Sequence, residues 1–337
     1  MPLRLSSTLG LACLFPIVAT SAALGCSSSG TPEAGPGSAS ESDASVLDDA
    51  GPDAASVDHR PPGVALCYTP PADQNPATLA FWKAFVADEP QSRAGVVGEL
   101  QTAVTAYPEE EELALLLALA NLWRVAEPLP SEAGDLVGLQ QAALAAQSGL
   151  QKAIMLCPTD YRIDAWLSVL LVAEGRALGS QSTMDQGLQA LATGIAHYPS
   201  FVDFSQALIY ADRAPADPDF QKALQGAQAS VDACAKPSAS LDPACNDTPH
   251  AAHDVEGAAV FFGDLYAKAG MKSQALDYYD GAKSGPGWDS WAFQSLLEQR
   301  IATIDARIAA ASADGGAASA VQNVWDSTVQ CAICHER

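Results

Sequence analysis

The sequence predicts an all-α protein, a solenoid of helical hairpins carried on a disordered N-terminal tether. Three observations predict it. Alanine and leucine dominate over β-branched residues in a 337-residue chain that is 48% hydrophobic, a bias toward helix. No stretch alternates apolar and polar residues for long enough to make a half-buried strand. A phrase of leucine, small residue and proline recurs three times, and recurrence at such periods signals a repeat array.

The chain opens on an address. Residues 1–25 hold one charged side chain, Arg4, then an apolar run over 9–18, then small residues. That order describes an export signal, and the run is too short to cross a bilayer. Ser21-Ala22-Ala23-Leu24-Gly25-Cys26 resembles the lipobox of bacterial lipoproteins, with Ala23 standing where a larger aliphatic residue is commoner. The resemblance implies cleavage before Cys26 and lipidation of its thiol. Each buried acyl methylene contributes ~0.8 kcal/mol, so a multiply acylated Cys26 would hold the protein on a membrane of the bacterial cell envelope, at the outer membrane or a periplasmic face. The alternative is an ordinary secretory signal with an incidental cysteine. Residues 26–63 follow, rich in Ser, Gly, Ala, Pro and Asp. They bury too little apolar surface to offset ordering, so a disordered leash with an r.m.s. reach of roughly 30–35 Å is expected.

The body spans 64–312. Asn75-Pro76 reads as an N-cap with proline at the first helical position, opening a helix with Leu79, Trp82, Phe85 and Val86 on one face. The recurrent phrase then places Leu100, Ala103 and Pro108, next Leu150, Ala153 and Pro158, and next Leu191, Gly194 and Pro199. Its prolines fall 50 and 41 residues apart (108 to 158, 158 to 199). The leucine and small residue share a helical face, and proline stops the helix for want of an amide hydrogen. A second apolar helix follows each stop, over 113–123, 165–173 and 202–211. The unit therefore reads as helix, proline turn, helix. Glu109 to Glu112 read as a solvated first turn, where the helix dipole favours acids.

A fourth unit is the clearest. Residues 260–286 read VFFGDLYAKAGMKSQALDYYDGAKSGP and resemble the tetratricopeptide signature. Gly263 matches the small residue of the first helix, Tyr266 its aromatic, and Gly270 the turn. Ala275, Tyr279 and Ala282 match the small–aromatic–small series of the second helix, and Pro286 falls one residue early. The earlier units match only the second-helix series. The resemblance implies a concave face that binds peptides or proteins, hence a protein partner in the cell envelope. The alternative is a generic helical bundle. A last helix over 290–311 carries Leu296, Leu297, Ile301, Ile304 and Ile308, with Glu298, Arg300, Asp305 and Arg307 on its outer face.

Charge limits the partners. The chain has 17 Lys+Arg against 40 Asp+Glu, net −23, which repels phosphate backbones and excludes nucleic acid. No phosphate loop, no G-x-S-x-G and no H-E-x-x-H occurs, so the chain does not read as an enzyme. His250 and His253, followed by Asp254 and Glu256, have a metal-capable spacing but read as a loop entering a helix.

Of 8 cysteines, Cys13 leaves with the signal and Cys26 takes lipid. Cys234 and Cys245 flank a Pro/Ser-rich loop, and closing a loop of that size contributes roughly 3 kcal/mol. Cys67 with Cys157 then follows by elimination in an oxidising compartment.

The C-terminal segment, 313–337, reads as a helix ending in Cys331-Ala332-Ile333-Cys334-His335-Glu336-Arg337. Cys-x-x-Cys-His is the attachment signature of c-type haem. The run before it resembles the helix that leads into this motif in cytochrome c domains. The resemblance implies thioethers at Cys331 and Cys334 and His335 as proximal iron ligand, making the chain a haem c electron-transfer lipoprotein. A cytochrome domain continues well past this point, and here only two residues follow. A distal ligand would come from His197, His250, His253, Met155, Met184 or Met271. Two other readings stay open: a remnant carrying a disulfide or free thiols, and a zinc site using both thiols and His335. The haem reading predicts a covalent mass increment of one haem after expression with a cytochrome c maturation system, lost in Cys331→Ala/Cys334→Ala. An unmodified mass by intact mass spectrometry refutes it.

Overall fold

A computed structural model describes residues 67, 75–86, 90–126, 129, 131–132, 135–236, 242–246, 255–285, 287–291 and 293–313. The described residues form helices and turns and no strand. Residues 1–66, which hold the expected signal and tether, and residues 314–337 lie outside them. The helices are α1 (Pro76–Val86), α2 (Arg93–Ala106), α3 (Glu111–Ala126), α4 (Leu136–Leu156), α5 (Arg162–Leu178), α6 (Gln181–His197) and α7 (Pro199–Tyr210). They continue with α8 (Phe220–Cys234), α9 (Pro243–Asn246), α10 (Val255–Lys268), α11 (Lys272–Lys283), α12 (Gln294–Ala302) and α13 (Ile304–Ala313). No described helix is long and apolar enough to cross a membrane.

Each expected proline stop is a helix end. Tyr107, Cys157 and Tyr198 leave helical geometry at φ −129°, −136° and −139°. Proline biases the residue before it in this direction. Their amides still bond the carbonyls of Ala103, Ala153 and Gly194, so the last turns stay closed. Asn75 caps α1 as expected, its side chain accepting from the Ala77 amide at 2.9 Å.

The fourth unit keeps its expected frame, α10 and α11 pairing across the turn at Gly270, but the frame of the three proline-marked units differs from the expected one. The tightest pairs are α3 with α4, α5 with α6, α7 with α8 and α10 with α11. The proline turn therefore joins successive hairpins; it does not join the two arms of one. The cause is the small residues. A Cβ on Gly187 of α6 would meet Val172 of α5 at 2.8 Å, and one on Gly226 of α8 would meet the Ala207 amide nitrogen of α7 at 2.7 Å. Gly187 and Gly226 thus face the preceding helix, while Gly194 meets Val202 of the following one. Two hairpins close tightly through left-handed glycines, Gly179 (φ 64°) and Gly270 (φ 77°). After each, an amide reaches back five residues: Ser180 to Gly175 and Met271 to Tyr266, both at 2.8 Å. This is the Schellman closure that glycine favours.

One spacing recurs on the second arms. Val96, Leu100 and Ala103 are buried on α2, and Ala146, Leu150 and Ala153 on α4. The same intervals bury Gly187, Leu191 and Gly194 on α6, Gly226, Ser230 and Ala233 on α8, and Ala275, Tyr279 and Ala282 on α11. Apolar cores form successively: α1 to α3 around Phe81, Leu116 and Trp123, α3 to α5 around Leu150 and Ile163, then the remainder around Phe204, Phe261 and Tyr279.

Two expected faces are corrected. On α1 the buried positions are Ala77, Thr78, Phe81 and Ala84, while Leu79 is 58% exposed. Phe81 stacks on Phe85, which meets Trp123 edge-on at 5.4 Å, and this aromatic packing sets the roll of the helix. The expected last helix breaks at Thr303, whose hydroxyl bonds the Gln299 carbonyl at 2.7 Å, a contact that bends helices. Its supposed outer face is half inward: Glu298 and Asp305 are exposed, but Arg300 and Arg307 are buried. Arg300 Nε sits 3.1 Å from Asp264 Oδ2 of α10, both side chains fully buried. The Tyr279 hydroxyl donates to Asp264 Oδ1 at 2.5 Å, and burial with this carboxylate holds the phenol well above its usual range.

Removing one member of a buried pair leaves an uncompensated charge, whereas removing both does not. Asp264→Ala is therefore expected to cost ~3–5 kcal/mol in chemical denaturation, and Asp264→Leu/Arg300→Met markedly less.

Candidate functional site

Two places in the described body collect chemistry. The first is a cavity of about 420 Å³ bounded by α7, α8, α9, α10 and α11. Phe204 of α7 and Phe262 of α10, both buried, line it with ring centroids 5.8 Å apart. Tyr278 of α11 meets Phe262 edge-on at 5.8 Å and stacks on Tyr266 at 5.0 Å. Burial, then Tyr266, then Asp232 push the Tyr278 phenol upward. Ser230 of α8 also lines the cavity, and it holds the middle position of the repeated spacing. The other second arms place Leu100, Leu150, Leu191 and Tyr279 there. The space exists where one repeat lacks its large side chain.

The short helix α9 supplies another wall, through Ala244 and Cys245. It is fixed at two points. Cys245 is bonded to Cys234 at the end of α8. Asp242, buried, accepts from the Tyr198 hydroxyl at 2.8 Å and the Ser200 hydroxyl at 2.5 Å, and caps α9 through the Ala244 amide at 3.0 Å. Outside, Asp277 on α11 and Asp232 on α8 are exposed, and Val231 is 37% exposed.

The second place is where α3 and α5 begin. Glu111 and Glu112, expected in a solvated turn, are buried, and so is Asp160. Arg162 gathers them: its Nε donates to Asp160 Oδ1 at 2.8 Å and its Nη2 to Glu112 Oε2 at 3.1 Å. Neither Glu111 oxygen meets a hydrogen-bond donor. Burial, then Asp160 and Glu112, push its carboxyl up to about 9 against the pull of Arg162. These causes favour the protonated carboxyl, a form that can donate to a neighbouring carboxylate. One cation among three buried acids neutralises what it can, and the proton on Glu111 removes a further charge.

The two expected cysteine pairs are bonded, Cys67 to Cys157 and Cys234 to Cys245. Cys26, Cys331, Cys334, His335, His250 and His253 lie outside the described residues. Of the other proposed distal ligands, His197 is exposed and stacked on Tyr161 at 4.2 Å, Met155 is 75% exposed, Met184 packs against Gly175, and Met271 is 38% exposed. Met184 and His197 share α6, while Met155 lies on α4 and Met271 precedes α11. No group of three or more His, Cys, Asp or Glu side chains with metal-binding geometry occurs among the described residues. The cavity had one trace in the sequence, the serine in the position that elsewhere holds leucine or tyrosine. The acid cluster had none, because Asp160 and Arg162 lie fifty residues from Glu112. The chain matches no family model, no curated protein and no solved structure.

Glu111 carries a pH signature. The folded state keeps a proton that the unfolded chain releases above 4.5, so this group's contribution to stability falls as pH rises from 4.5 through about 9. Glu111→Gln is expected to match wild type near pH 4 and to exceed it increasingly as pH rises, by up to ~5 kcal/mol at pH 8, read from urea midpoints across pH.

Proposed function

We propose that this chain is a lipid-anchored extracytoplasmic protein whose tetratricopeptide-like array of helical hairpins mediates protein–protein interaction in the bacterial cell envelope. The observation that carries the reading is the buried spacing shared by α2, α4, α6, α8 and α11, with Gly187 and Gly226 set against the preceding arm. Stacked hairpins of this kind bury one continuous core and leave extended surfaces for partners. The signal over 1–25, the lipobox at Cys26 and the tether over 26–63 support the address. An acidic, disulfide-bonded body suits an oxidising compartment outside the cytoplasm. No catalytic role is assigned.

The Cys331-x-x-Cys334-His335 sequence supports a second role compatible with the first, in which the C-terminus carries haem c and the helical body docks an electron-transfer partner.

Cys26→Ala is expected to abolish radiolabelled fatty-acid incorporation and release the protein from the membrane fraction. Cross-linking in cells, followed by purification of the tagged wild-type chain, is expected to recover a discrete envelope protein. Unlabelled wild type refutes the anchor, and recovery of the tagged chain alone refutes the interaction.

A further inference from the structure

We propose that the cavity between α8 and α11 is an anchor pocket for a basic, apolar segment of a partner polypeptide. One large apolar or aromatic side chain fills it, and flanking lysine or arginine side chains face Asp232 and Asp277. This rests on the interaction function proposed above and names the chemistry of its partner.

Four observations lead here. The interior is apolar: Phe204, Phe262 and Tyr278 present rings to it, with Val255 beside them. Its volume, about 420 Å³, lies in the range of pockets that hold a ligand, ~300–1,000 Å³. The space is built into the repeat: Ser230 leaves open what a leucine or tyrosine occupies in the other second arms. The neighbouring arms do not collapse into it, because the wall opposite is held by the Cys234–Cys245 bond and by Asp242.

Charge selects the occupant. Asp277 belongs to the lining, and Asp232 is exposed next to the lining residue Val231 on α8, so each of the two second arms carries a carboxylate in or beside the lining. The lysine near it, Lys236, acts on Asp203 of α7. The whole chain carries −23, which draws cations from a distance. Carboxylates on both flanking helices suit a segment that crosses the mouth, with a buried side chain at its centre and a cation on each side. Interfaces concentrate their binding in such central apolar anchors, inside a polar rim.

The test uses the full mature chain in detergent and a fluorescein-labelled peptide with one tryptophan between lysine pairs, at physiological salt. A second peptide carries serine in place of the tryptophan. Fluorescence anisotropy is expected to show at least tenfold tighter binding of the tryptophan peptide. Ser230→Leu, which restores the large residue of the repeat, is expected to remove that preference while melting at or above the wild-type temperature. Asp232→Asn/Asp277→Asn is expected to weaken the tryptophan peptide at least tenfold with an unchanged circular dichroism spectrum. Should Ser230→Leu fail to fold, Val231→Glu at the rim replaces it with the same expected loss.

Equal binding of the two peptides overturns the proposal, because it marks general attraction to an acidic chain. A preference that survives both Ser230→Leu and Val231→Glu in folded protein overturns it as well. Binding of a neutral naphthalene dye that Ser230→Leu abolishes, with no peptide preference, replaces the polypeptide segment with a small apolar ligand. Cellular cross-linking separates the two levels. Partners that still cross-link to Ser230→Leu refute the pocket and leave the interaction function standing, while a wild-type chain with no partner refutes that function itself.

Discussion

The close approach of paired helices at residues with little or no side chain is the constraint on which the rest of this structure depends. At Gly187 a methyl group would press on Val172, at Gly226 on the backbone of Ala207, and at Gly149 on Ala118. With no side chain between them, each pair packs backbone to backbone. The residue four positions after the small one on α4, α6 and α11 is then forced into the seam beside it. Leucine or tyrosine at that position, nearly or fully buried, converts close approach into a filled core. Proline ends the arm a turn later and hands the chain to the next hairpin. One spacing thus sets pairing, packing and connection together, and Ser230 on α8 is the place where the packing part is relaxed.

Much of this was legible in the sequence, and the errors have definable causes. Helix class, the proline stops at 108, 158 and 199, the cap at Asn75 and the turn at Gly270 each rest on backbone chemistry confined to a few residues. Such features read locally. The hairpin frame of the three proline-marked units was misread because the proline shows where a helix stops and says nothing of which neighbour it packs against. The pairing had to come from the glycine side of each helix, and Gly187 and Gly226 carry no mark in sequence that separates a packed glycine from a flexible one. The face of α1 was misread for a related reason. Leu79 has the hydrophobicity for burial, but Phe81 stacks on Phe85 and Phe85 fits the ring of Trp123, and packing geometry prevails over composition.

Charged residues were the least legible. Periodicity places Arg300 on the outer face of a helix and Glu111 in a solvated first turn, and both are buried. Each is held by a group remote in sequence: Asp264 thirty-six residues before Arg300, and Asp160 almost fifty after Glu111. A buried charge costs several kcal/mol unless it is paired or neutralised, so these positions specify the arrangement around them more than they stabilise it. Arg300 with Asp264 fixes the roll of α12 against α10. The acids at the start of α3 tie that helix to α5 through Arg162, at the end of the body where Cys67 and Cys157 are also joined.

The same reasoning bears on why a cavity persists beside a disulfide. Replacing a buried leucine with a much smaller residue costs ~2–5 kcal/mol, and the cost is least where neighbours collapse into the gap. Collapse here would require α9 to move toward Phe204 and Phe262, and α9 is held by a covalent bond on one side and by Asp242 on the other. Closing an 11-residue loop contributes roughly 3 kcal/mol, comparable to the loss at Ser230. The bond therefore does two things at once: it offsets the missing side chain and it prevents the rearrangement that would make the offset unnecessary. A fold under pressure for stability alone would place leucine at position 230. The combination of an under-filled repeat position with a cross-linked wall is what a retained opening requires.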